Sequence, residues 1–177
     1  MPRAVVATIA VLLAVGPARV EACSVLELRG TPGYRYRPAR IAVFVDSATV
    51  IVRAVALGPD TTQHDATVEF SVVEVLRGAP APRVVRLPGE MVTDDDYNPQ
   101  PGVPYTMVRR AGQRGACYAR EYRAGAEYLL LLRPEPPGAL TASWKALAPL
   151  NEQVRGAADP WVAWVRARVS GARGRDT

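Results

Sequence analysis

The chain is poor in the residues that carry most enzyme chemistry. It has one histidine, His64, two cysteines and two phenylalanines in 177 residues. A Ser-His-Asp or Cys-His arrangement needs an activating base. His64 is the only imidazole, and it falls in a predicted hairpin loop. No HExxH, GxSxG, CxxC or phosphate-binding glycine loop occurs. Asp94, Asp95 and Asp96 are consecutive, whereas a calcium loop alternates its ligands and adds a distant bidentate glutamate. They read as a solvated turn. A carboxylate pair such as Glu90 and Asp95 has the residue types for acid–base work, but nothing in the sequence positions the two. The expectation is a non-enzymatic protein without catalytic residues, metal or cofactor.

Long apolar runs are also scarce. Ala4 to Val15 is apolar but short for a bilayer. With Arg3 before it and Val20-Glu21-Ala22 behind, residues 1–22 read as a secretory signal peptide. Beyond it, Tyr128 to Leu132 is only five residues. No transmembrane segment is expected in the mature chain, and the location is secreted, periplasmic or cell envelope. The net charge is +5, almost all of the positive charge being arginine, since Lys145 is the only lysine. These arginines are dispersed, and a nucleic-acid partner is not expected.

Cys23 would be the first mature residue. In an oxidising compartment, Cys23 and Cys117 are most simply one disulfide, with two free thiols as the alternative. The bridge would close a 95-residue loop, for which chain entropy gives roughly 4–5 kcal/mol.

What is present is β patterning. In Asp65 to Gly78 (DATVEFSVVEVLRG), Ala66, Val68, Phe70 and Val72 alternate with Thr67, Glu69 and Ser71. That is a strand with one face on a core. The phase flips at Val72-Val73, so that Val73 and Val75 become the apolar set, which predicts a β-bulge. This strand is placed at the centre of the domain. Thr49 to Leu57 reads as the strand before it, with a hairpin loop over Gly58 to His64, and Arg83 to Leu87 as the strand returning from it. Ser24 to Arg40 is irregular, and Ala39 to Asp46 is a short helical turn. Residues 88–116 form a long insertion, with Tyr105 to Arg109 a short strand in it and Arg109, Arg110 and Arg114 a basic cluster. Charge neutralisation against the aspartates is the plain reading of that cluster. Ala126 to Arg133 and Ala139 to Trp144 form a last hairpin. Asp159-Pro160 is a helix start, an N-cap followed by proline at the first helical position. Trp161, Val162, Trp164, Val165 and Val169 share one face of that helix, and residues 151–170 are expected to be the C-terminal helical segment packed on the barrel. A membrane-surface helix is the alternative. Residues 171–177 are expected to be a disordered tail.

Several of these features coincide in order: a leader cut before Cys23, a strand at Thr49 to Leu57, a strand ending in EVLRG (Glu74 to Gly78), and Cys117 shortly before GAEYLL (Gly125 to Leu130). That order resembles the netrin-like module, which is shared by the tissue inhibitors of metalloproteinases and by bacterial exported proteins. The resemblance covers residues 23–150. It implies an all-β fold, a five- to six-stranded OB-type closed barrel, here with a C-terminal amphipathic helix. It also implies a protein partner. In the inhibitors, the N-terminal cysteine is disulfide-bonded and its amine and carbonyl chelate the protease zinc; Cys23 and Cys117 match that pair. Two positions depart from the pattern, with Val25 where the inhibitors have a second cysteine and Tyr118 where glycine is usual. The candidate contact residues are Cys23, Ser24, Arg109, Arg110 and Arg114. The alternative is a lipid-anchored envelope protein attached through Cys23.

Overall fold

The computed structural model describes residues 35–62, 66–78, 81–135 and 139–173. The expected leader, Cys23, Ser24 and His64 lie outside them. The fold is mostly β. Helix α1 (Pro38–Ser47) precedes β1 (Val50–Pro59), β2 (Thr67–Arg77), β3 (Val84–Pro88) and β4 (Glu90–Val92). Then follow β5 (Glu121–Arg123), β6 (Glu127–Glu135), β7 (Ala139–Ala142), β8 (Asn151–Val154) and helix α2 (Pro160–Arg173).

The main sheet runs β3-β2-β1-β6-β7, with β8 also paired to β6. All its pairings are antiparallel. Strands β7 and β8 share one edge of β6, against Leu132–Glu135 and Glu127–Leu130 respectively. The centre is therefore β1 and β6 rather than β2. The reason is burial on both faces: Tyr128 to Leu132 are all buried, as are Val50, Ile51 and Val52. Strands β4 and β5 form a separate parallel pair.

The expected bulge is present, and it is sharper than a phase flip. Arg53 pairs with Glu74 and Ala54 with Val72, so Val73 is the extra residue. Leu76 and, on β1, Leu57 are extra in the same way. Val73 and Val75 do not become a buried set; they are 48% and 42% exposed. After the bulge, Glu74 takes the place facing α2 and bonds Arg53 and Arg166 at 2.9 and 2.8 Å.

One face of the curved sheet is covered by its own side chains. Val52, Ala54, Phe70, Leu87, Tyr122 and Leu130 belong to that core, and the Phe70 ring meets Tyr122 and Tyr128 edge-on at 4.9 and 5.8 Å. The other face, with Ile51, Leu129 and Leu131, packs on both helices. There α1 contributes Ile41, Phe44 and Val45, and α2 contributes Trp161, Val162, Val165 and Val169. The predicted apolar stripe of α2 thus faces the sheet.

No pairing joins β3 to β7 among the described residues, so the sheet does not close into the expected barrel. The two edges flank a groove of about 680 Å³ lined by Val50, Pro82, Val85, Arg86, Pro134 and Leu140, among others. The two edge strands are short, β3 five residues and β7 four. Further differences concern lengths and types. Ala39 to Asp46 is not a single turn but part of the ten-residue α1. Tyr105 to Arg109 is not a strand, because its polar groups go to side chains and loop partners. The stretch 151–154 is β8 rather than part of the terminal helix, and α2 continues through Arg173 into the expected tail. Among the described residues, no helix is long and apolar enough to cross a membrane.

Candidate functional site

The loop between β4 and β5 is held by a buried polar clasp, and Arg109 is at its centre. Its side chain is fully buried. Each guanidinium nitrogen has a protein acceptor: Asp96 for Nη1 at 2.8 Å, the Asn151 carbonyl for Nε at 3.1 Å, and the Ala119 carbonyl for Nη2 at 3.1 Å. The group lies 5.4 and 5.3 Å from the ring centres of Tyr122 and Tyr128. A planar fork with aromatic walls suits arginine and not lysine.

Asp96 does three things at once. Its carboxylate takes the Arg109 guanidinium and accepts the amides of Arg110 at 3.1 Å and Ala111 at 3.0 Å. It thereby caps the turn that leads into the π-helical residues Gly112–Ala116. Asp95 binds Arg123 at 2.6 Å and Gln153 at 2.5 Å. The Gln153 hydrogen bond, ahead of other causes, holds its carboxyl below the ordinary value. The aspartate run is thus not a free solvated turn, and the plain reading of mutual neutralisation holds for Asp96 with Arg109.

Strand β8 supplies the other wall. Asn151, Glu152 and Gln153 are all buried. Glu152 accepts Asn98 Nδ2 at 2.8 Å and the Arg109 amide at 3.1 Å. Burial pushes its carboxyl up to about 7, with Arg109 and Asn98 pulling the other way. Asn151 donates to Tyr122 Oη and to the Ala119 carbonyl, both at 2.8 Å. Burial raises the Tyr122 hydroxyl to about 12, so it remains a neutral donor–acceptor. Among the described residues, no group of three or more His, Cys, Asp or Glu side chains is placed to hold a metal ion. The cluster is saturated with protein partners, and what it does is fix the loop.

The sequence-selected residues separate accordingly. Arg109 faces inward, although it is expected in an exposed basic cluster; the desolvated Asp96 and Glu152 draw it in. Arg110 and Arg114 are exposed, and Arg114 pairs with Glu121. Cys117 is buried at the end of the π-helical turn in a left-handed conformation, φ 61°, with its carbonyl accepting the Leu147 amide at 2.7 Å. Next to it Tyr118 meets Trp144 edge-on at 5.5 Å, and the Arg120 guanidinium lies 5.2 and 5.0 Å from the two ring centres. Cys23 and Ser24 are outside the described residues. Sequence reasoning passes over Asn98, Arg120, Trp144, Asn151, Glu152 and Gln153. The only available signal is the polar triplet Asn151–Gln153 between apolar Leu150 and Val154.

No protein-family model matches the chain, and no curated protein matches it in a sequence comparison.

Proposed function

We propose that the chain is an exported, non-enzymatic interaction module of the netrin-like type. It binds a protein partner at the surface of the loop that carries Cys117 and the exposed Arg110 and Arg114. The observation that supports this most is strand order. An OB-type barrel needs β1 between β2 and the strand after the long insertion, with the closing edges being β3 and the last hairpin strand. Here β1 lies between β2 and β6, and β3 faces β7 across the groove. The barrel reading takes that groove as the seam. A Cys23–Cys117 bridge is part of the proposal; Cys117 is buried and is not a free thiol. The bridge would tie the N-terminal amine to the loop of Arg110 and Arg114, as a wedge-type protease inhibitor requires.

The test is the intact mass of the protein from its native host, before and after reduction, followed by partner binding. The reading expects a chain starting at Cys23 that gains two hydrogens on reduction. It also expects Arg110→Glu with Arg114→Glu to weaken binding at least tenfold at unchanged stability. A diacylglycerol adduct would replace it with the lipid-anchored reading, since acylation uses the Cys23 thiol. Full binding by the double variant would remove the Cys117 surface from it.

A further inference from the structure

Two carboxyls meet one buried residue, Arg109, in the loop clasp. Asp96 bonds the Arg109 guanidinium directly, and Glu152 bonds the same residue's amide. Tyr105 from the loop interacts with Glu152, and also with Arg155 after β8 and Asp159 at the start of α2. Tyr122 and Tyr128 enclose the guanidinium from β5 and β6. Asp159 is taken by the amides of Arg155 and Trp161, each at 2.9 Å. Arg155 stacks on Tyr97 at 4.0 Å. Neither neutralises Glu152.

We infer that residues 93–111 form a proton-linked loop: when it closes on β8, Glu152 takes up a proton, because Arg109 balances only one of the two carboxyls it touches. Glu152 is the acceptor of that proton on geometric grounds. Its residue is 0% exposed and has two donors. Asp96 has three donors and keeps 15% of its side chain exposed. A neutral carboxyl retains oxygen lone pairs toward Asn98 and the Arg109 amide, so both bonds survive, weakened, while the desolvated charge is removed.

The direction of the pH response follows. Opening the loop removes both donors and admits water, so Glu152 returns to an ordinary carboxyl. In the closed form it stands near 7, against an ordinary 4.5. Between these values the closed form holds more protons, so acidification favours closure. Opening rises by up to about tenfold per pH unit as pH climbs through this window and levels off above it. Since the loop carries Arg110, this device would make that surface more ordered at mildly acidic pH. The inference does not rest on the functional reading.

The test is native-state hydrogen exchange of the mature chain from pH 5 to 8.5, corrected for intrinsic rates. Protection of the Arg109 amide and the 93–111 segment is expected to fall at least tenfold from pH 5.5 to 7.5, with β1 and β6 little changed. Glu152→Gln should remove this dependence. Asp96→Asn, which gives Glu152 sole claim on the cation, should move the midpoint to lower pH. A flat wild-type profile, or an unchanged slope in Glu152→Gln, would overturn the inference. Should Glu152→Gln not fold, a carbon-13 titration of the wild-type Glu152 carboxyl decides. A midpoint near 7 upholds it and one near 4.5 sinks it.

Discussion

The Arg109 guanidinium and the Asp96 carboxylate are 2.8 Å apart, and both residues belong to one loop that also bonds β8. Removing the cation takes one donor each from Asp96, the Asn151 carbonyl and the Ala119 carbonyl. Arg109→Leu is expected to cost about 3–5 kcal/mol, the range for breaking a buried pair. Arg109→Lys should recover less than half, because an ammonium cannot serve three divergent acceptors between two rings. Urea denaturation of the three proteins is the measurement; equal midpoints for arginine and lysine would contradict the fork geometry.

Phe70 and Val73 lie three residues apart on β2, Phe70 in the regular ladder and Val73 at the bulge. Phe70 is fully buried between Tyr122 and Tyr128, and Val73 is half exposed. Phe70→Ala should destabilise by about 3–5 kcal/mol. Val73→Thr should stay within about 0.5 kcal/mol. Thermal melts of both variants test the register directly, since a phase flip that buried Val73 would make the second change costly.

Asp159 caps α2 through the Trp161 amide and also accepts the Arg155 amide, both at 2.9 Å. Asp159→Ala should lose about 1 kcal/mol, with a range of about 0.5–2 for such caps. Asp159→Asn should restore much of it. Circular dichroism during chemical unfolding gives both values.

Gly78 ends β2 at φ +80°, and a Cβ there would sit 2.6 Å from the Thr49 carbonyl oxygen. An L side chain is strained by the backbone and blocked by the neighbouring chain. Gly78→Ala is expected to lower stability by about 1–3 kcal/mol, whereas Gly58→Ala, where a Cβ meets nothing within 4 Å, should be close to neutral. Comparing the two midpoints separates local backbone strain from a general effect of losing glycine.

Period-2 alternation identified β2, because a half-buried strand repeats every two residues, and apolar runs between turn residues identified β1, β3, β6 and β7. The doublet Val72-Val73 marked the bulge for the same reason, and Asp159-Pro160 marked α2 because a cap and an N1 proline act within one turn. Short β4, β5 and β8 were invisible. Three or four residues are too few for a period, and Asn151–Gln153 owe their strand state to β6 and to the loop they bind. The burial of Arg109 and Glu152 was equally hidden, since local sequence does not say which charge will find a partner forty residues away. The chain by itself decided where strands and the last helix form, through periodicity and capping that act over a few residues. Only the tertiary structure decided that β1 and β6 are central, that β3 and β7 stay apart across a groove, and that a basic loop turns its first arginine inward, because each depends on contacts between segments distant in sequence.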